Sequence, residues 1–153
     1  MTIDFGNTAQ DYKTYRQGFP EVFFQKLQSL GLIGAGKQVL DIGTGTGTLA
    51  RGAALAGSHV TAVDIAQTLL EQAIILDLEQ DVHVTYHVAS AENTGLASES
   101  FDTVMAGQCW HWFDRQRATS EVYRLLVPSG YVVIAHLDWI PLLGNVVSAT
   151  EQL

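Results

Sequence analysis

The chain has 153 residues, 47% of them hydrophobic, and its 16 acidic side chains against 8 Lys plus Arg leave a net charge of −8. That length and apolar content fit one folded domain with a real core and argue against disorder. The acidic balance, with its few cations scattered, argues against a nucleic-acid partner and for a small molecule, and the apolar stretches are strand-sized, far below the roughly 20 residues of a membrane span.

The start, MTIDFGNTAQDYK, is polar and unlike a secretion signal, and the single Cys109 cannot form an internal disulfide. Both point to a cytoplasmic setting with no membrane partner. Residues 7–17 predict a helix with Asn7 or Thr8 as cap, broken by Gly18-Phe19-Pro20. Val22, Phe23, Leu27 and Leu30 have near-helical spacing and predict a second helix over 21–30, which the glycine-rich 31–36 ends. The pattern then alternates. QVLDIG, HVTAVDI, VHVTYHVA, FDTVMAG and GYVVIAHLD read as strands. TLARGAALAG, AQTLLEQAIILDLE and DRQRATSEVYRLL read as the helices between them. Alternating strands and helices predict an α/β fold with a parallel sheet covered on both faces, and loops gathered at the carboxyl ends of the strands.

The stretch 39–50, VLDIGTGTGTLA, breaks from an apolar strand into glycines at 43, 45 and 47 and enters a helix near Thr48. Such a turn lets a ligand approach the backbone and presents free N–H groups at the helix start. Asp64 ends the second strand, 21 positions after Gly43. An acid there can accept hydrogen bonds from ribose hydroxyls, or it can cap the helix that begins near Ala66. The dinucleotide fingerprint G-x-G-x-x-G would need its third glycine where Thr48 stands. That mismatch, with Asp41 in the strand, counts against a nicotinamide-dependent oxidoreductase.

VLDIGTGTG at 39–47 resembles the first motif of the class I S-adenosylmethionine-dependent methyltransferases. VTAVDIAQTLLEQA at 60–73, VASAENTGLASESFDTVMAGQCWHWFD at 88–114 and LLVPSGYVVIA at 125–135 resemble their later segments. The nearest subgroup is the small-molecule type with an H-W-F-D segment after the fourth strand. The resemblance implies a Rossmann-like, doubly wound, mostly parallel sheet of order 3-2-1-4-5, with residues 1–36 as a helical cap and 37–153 as the cofactor-binding core. It implies S-adenosylmethionine as cofactor and S-adenosylhomocysteine as product.

Residue by residue, the resemblance implies that Gly43, Thr44 and Gly45 lie against the methionine part and that Asp41 orients its amino group. Asp64 would hold the ribose, Ile65 one face of adenine, and Ser90, Ala91 and Glu92 its edge. Many relatives have Asp where this chain has Ser90. Gln108 would face the methionine end. Tyr12 and Arg16, one helical turn apart, could close over the cofactor with Arg16 on its carboxylate; a packed tyrosine and a solvated arginine are the alternative.

In the aromatic run 109–113, the sequence favours Trp110 and His111 for the substrate pocket and Trp112 and Phe113 for the core, with Cys109 a small buried residue. The pocket of a sulfonium donor suits aromatic faces. His111 is the candidate catalytic base, should the acceptor need deprotonation. His59, His83, His87 and His136 lack ligand spacing, so no metal site is expected. The family's sheet has seven strands, order 3-2-1-4-5-7-6, whereas 16 residues follow Leu137. The expectation is therefore a truncated chain lacking the last two strands, with a fifth-strand edge open to homodimerisation. A non-catalytic cofactor-binding module is the alternative to a methyltransferase acting on a small molecule.

Overall fold

The computed structural model of the chain describes residues 18–138. The helix expected over 7–17, with Tyr12 and Arg16, lies outside the described residues. Within them, five strands form one parallel sheet: β1 (Gln38–Ile42), β2 (His59–Asp64), β3 (Thr85–Val88), β4 (Phe101–Gly107) and β5 (Leu126–Ala135). Their order is β3-β2-β1-β4-β5, as expected. Four helices accompany them: α1 (Glu21–Ser29), α2 (Thr48–Leu55), α3 (Gln67–Glu79) and α4 (Arg115–Leu125).

β1 is central, and Val39, Leu40, Asp41 and Ile42 are all buried. Successive side chains leave opposite faces of a strand. Val39 therefore joins a core with Leu27 of α1 and Leu49, Ala50 and Ala53 of α2. Leu40 and Ile42 join the other core with Val122 and Leu125 of α4. Asp41 shares the Val39 face and so meets α2. A strand buried on both faces reads as a continuous apolar run, and the one acid in it stands out for that reason.

α1 ends as its sequence predicts. Gly31 takes φ +69°, and the amides of Gly31 and Leu32 donate to the carbonyls of Gln28 and Leu27 at 2.9 and 3.0 Å. This paired closure satisfies carbonyls that the helix leaves open. The chain then crosses to the sheet, where the Thr103 hydroxyl of β4 donates to Leu32 O at 2.7 Å.

Two strands differ from expectation. β3 is shorter than 82–89, because the Val82 amide is taken by Asp77 O in the closing turn of α3. β5 starts earlier than 130, at Leu126 opposite Phe101, and bulges before Tyr131 resumes pairing with Thr103. Ser129 at φ +65° lies in that bulge. The order reverses at β1, with β2 on one side and β4 on the other, which opens a crevice at their carboxyl ends.

Candidate functional site

A cleft of about 1300 Å³, counted to its open mouth, occupies that crevice. The turn after β1 forms its floor. Gly43, Gly45 and Gly47 all have positive φ, at +63°, +58° and +78°. A Cβ on Gly45 would meet nothing within 4 Å and would project into open space, whereas one on Gly47 would lie 2.5 Å from Tyr86 Oη and 3.2 Å from Ala73 Cβ. Gly45 thus keeps the ligand side of the turn bare, and Gly47 lets its rear pack.

Asp41 is 1% exposed. Its Oδ2 accepts from the Thr44 hydroxyl at 2.6 Å and from the Ala50 amide at 3.1 Å. Its Oδ1 is buried without a hydrogen-bond partner, although the residue lines the cleft. Burial pushes the carboxyl up to about 7; the two hydrogen bonds oppose that rise and the neighbouring Asp64 adds to it. An unpaired buried acceptor is costly, and here it sits beside the cleft.

Asp64, at the end of β2, accepts from Gly45 N on Oδ2 at 2.8 Å and from Ala66 N on Oδ1 at 2.9 Å. Each carboxylate oxygen keeps a further lone pair. Ala66 is the N-cap residue of α3, so Asp64 fixes the residue just before the helix and caps none of the helix's own amides. Ile65 beside it is 69% exposed and lines the cleft, a large apolar side chain presented to it.

Ser90, Ala91 and Glu92 line the same cleft. Ser90 O accepts from Asn93 N at 3.2 Å, closing a tight turn. Glu92 Oε1 accepts from Asp114 N at 3.0 Å, so it ties this loop to the aromatic loop before α4. Gln108 lies in the left-handed region at φ +61°. Its side-chain amide donates to Leu137 O at 2.8 Å and its backbone amide to Ala135 O at 2.9 Å, so its nitrogen is directed to the end of β5.

The aromatic run folds differently from the sequence expectation. A 3-10 turn over Trp110–Trp112 sends Trp110 toward the core around α4, where it meets Phe113 edge-on at 5.8 Å. Trp112 lines the cleft instead, while Phe113 packs against that core as expected and also lines the cleft, with Cys109, whose thiol donates to Ile42 O at 3.2 Å. His111 is exposed and is not among the lining residues; its ring stands 4.9 Å from Trp112 and 5.4 Å from His136. A three-residue run within one turn of helix alternates too fast for sequence periodicity to assign its sides. Phe19 and Leu137 also line the cleft and carried no signal beyond being apolar.

The charged side chains among the described lining residues are Asp41, Asp64 and Glu92, with no Lys, Arg or His. Among the described residues no group of three or more His, Cys, Asp or Glu could hold a metal ion. No helix among them is long and apolar enough to cross a membrane.

Residues 40–134 match the model of a methyltransferase-domain family, more than half of the chain. The chain belongs to the S-adenosylmethionine-dependent methyltransferases. It is similar to the uncharacterised methyltransferase Rv3342 of Mycobacterium tuberculosis, 32% identical over 96% of this chain and 60% of that one. It is 38% identical to a ubiquinone biosynthesis O-methyltransferase of Xanthomonas oryzae over 70% of this chain and 46% of the relative. A phosphoethanolamine N-methyltransferase 2 of Haemonchus contortus, solved with phosphomonomethylethanolamine and S-adenosylhomocysteine, superposes with a TM-score of 0.72 at 31% identity, over 85% of this chain and 32% of that one. The chain thus spans about 60% of the mycobacterial relative's length and less than half of the other two.

Proposed function

We propose that this chain binds S-adenosylmethionine in the cleft at the carboxyl ends of β1, β2 and β4 and serves methyl transfer to a small-molecule acceptor. The observation that carries the reading is Asp41 Oδ1, a buried acceptor without a partner beside a cleft whose described lining holds three acids and no base. An amino-acid-bearing sulfonium brings an ammonium and a second cationic centre, the two groups such a lining receives.

The residues fit that ligand in detail. Asp41 Oδ1 is the acceptor for the ammonium. Gly43, Thr44 and Gly45 present bare backbone to the methionine part, with Gln108 across from them. The free lone pairs of Asp64 take the ribose hydroxyls. Ile65 offers an apolar face to adenine, and Ser90, Ala91 and Glu92 border its edge, where a serine oxygen or a backbone carbonyl stands in for the acid of many relatives. Arg16 is the candidate partner of the carboxylate by its guanidinium chemistry, and it and Tyr12 lie outside the described residues.

S-adenosylmethionine, when bound, supplies an electrophilic methyl group on sulfur. The chain's own part is placement and exclusion of water, which account for much of the acceleration in such in-line displacements. Cys109, Trp112 and Phe113 wall the cleft beside the floor turn. Where the acceptor needs deprotonation, His111 at the rim beside Trp112 is the base; full turnover by His111→Ala at saturating substrate removes it from that role.

Calorimetric titration with S-adenosylmethionine, S-adenosylhomocysteine and NAD tests the site, with binding expected for the first two alone. Folded protein indifferent to both would sink the assignment. Binding without turnover across an acceptor panel favours a non-catalytic module. We further infer that β5, last in the sheet order among the described residues with Tyr131, Val132 and Ile134 exposed there, pairs with a second copy; a monodisperse monomer in light scattering refutes this. The lone Cys109 and the strand-sized apolar stretches support a cytoplasmic setting.

A further inference from the structure

Behind the floor of the cleft lies a buried polar network that no sequence motif announced. Arg51 of α2 is 8% exposed and Asp77 of α3 is 4% exposed. Arg51 Nε donates to Asp77 Oδ1 at 2.6 Å, and Arg51 Nη2 donates to Thr46 O at 2.8 Å and to Ala73 O at 3.2 Å. The Tyr86 hydroxyl of β3 donates to Asp77 Oδ2 at 2.8 Å. Arg51 is also held by its backbone, whose amide donates to Gly47 O at 2.8 Å. None of the three side chains lines the cleft.

Each of the three elements joined here leads to a different wall of the cleft. Arg51 grips the glycine turn through the Thr46 carbonyl. Asp77 belongs to the helix that follows Asp64 and Ile65. Tyr86 precedes the loop carrying Ser90, Ala91 and Glu92 by one short stretch of strand. We propose that Arg51, Asp77 and Tyr86 are positioning residues that hold these three walls in the spacing the nucleoside cofactor requires, with Arg51 acting on the ligand through the Thr46 carbonyl. The proposal rests on the cofactor reading above and adds residues that touch no ligand.

The chemistry supports a fixed arrangement over a loose one. A guanidinium reaches a carboxylate and two carbonyls at once because its donors lie in one rigid plane, and lysine cannot reproduce that fork. Both oxygens of Asp77 are engaged, so the carboxylate cannot turn without breaking a bond to one neighbour. Tyr86 Oη is also the atom nearest to a Cβ on Gly47, so the hydroxyl fills the space that the bare glycine leaves.

The test is calorimetric titration with S-adenosylhomocysteine of the parent chain, Tyr86→Phe, Arg51→Lys and Thr103→Val. Thr103→Val is the control: it removes a buried hydrogen bond to Leu32 at the amino-terminal end of the sheet, away from the cleft. Tyr86→Phe is expected to weaken binding about three- to tenfold, the affinity equivalent of one lost hydrogen bond. Arg51→Lys is expected to weaken it by about tenfold or more. Thr103→Val is expected to lower the melting temperature and leave the dissociation constant within about twofold. Should Arg51→Lys fail to fold, Tyr86→Phe decides alone. Unchanged affinity in Tyr86→Phe, with a lowered melting temperature, makes the network structural and overturns the proposal. A parent chain that binds no S-adenosylhomocysteine overturns the cofactor reading itself, before any variant is compared.

Discussion

Asp64 Oδ2 accepts the Gly45 amide at 2.8 Å, so the carboxylate at the end of β2 braces the turn that follows β1. The proposed ribose ligand is therefore part of the architecture of the neighbouring wall. Asp64→Asn keeps one oxygen and can accept from Gly45 N or Ala66 N, but its NH₂ then faces the other as donor to donor. The expected outcome is a stability loss of about 1–3 kcal/mol together with weaker S-adenosylhomocysteine binding. Urea melts and calorimetry check both, and an unaltered melt would remove the bracing role.

Under the proposed cofactor reading, Asp41 links ligand binding to pH. Its ordinary value of 3.8 is raised to about 7 by burial, so in this range the folded chain holds a proton that the unfolded chain has lost. Its contribution to stability is full below 3.8 and is lost as pH rises through about 7. An ammonium at Oδ1 favours the carboxylate, so binding releases that proton and affinity for S-adenosylhomocysteine rises with pH up to about 7. Titrations in buffers of different ionisation enthalpy read the released proton directly. Asp41→Asn is expected to flatten both dependences.

The glycines of the turn separate stability from binding. Gly47→Ala places a methyl group against Tyr86 Oη, Arg51 Nη2 and Ala73 Cβ at φ +78°. Gly45→Ala places one in open cleft at φ +58°. The left-handed backbone alone costs each variant about 1–2 kcal/mol. Gly47→Ala adds a clash and is expected to melt lower than Gly45→Ala. Gly45→Ala is expected to lose more ligand affinity for the stability it gives up. Paired melts and titrations rank the two.

Glu121 carries the acid limb of stability on the α4 side. Its Oε1 accepts from Thr94 N at 2.9 Å, from the Thr94 hydroxyl at 2.6 Å and from Arg124 Nη2 at 2.8 Å. The Arg124 hydrogen bond, helped by those from Thr94 and opposed by burial, lowers its carboxyl from 4.5 to about 2. The stabilisation is present above 4.5 and is lost as pH falls toward 2. Glu121→Gln is expected to be less stable at neutral pH and to lose less on acidification across that window, measured by urea melts at stepped pH.

Much of the fold was legible because it is written in local period. The alternation of strand-sized apolar runs with helical spacing, and the right-handed rule for crossovers, suffice for a parallel sheet covered on both faces; the order β3-β2-β1-β4-β5 was implied by the resemblance of its motifs to the methyltransferases. The acid inside an apolar strand and the alternating glycines after it stood out for the same reason: each violates the pattern around it. Asp41, Gly43, Thr44, Gly45, Asp64, Ile65, Ser90, Ala91, Glu92 and Gln108 do come together at one cleft.

Orientation was settled by tertiary packing. Trp112 faces the cleft and Trp110 the core because a 3-10 turn rotates the run, and no spacing rule resolves sides within three residues. Gln108 spends its side-chain amide on Leu137, a partner 29 positions away. Arg51 meets Asp77 across 26 positions and Asp77 meets Tyr86 across 9. A sequence displays periodicity because neighbours along the chain share a backbone geometry. It is silent on which distant side chains share a proton, since that depends on how the elements are brought face to face.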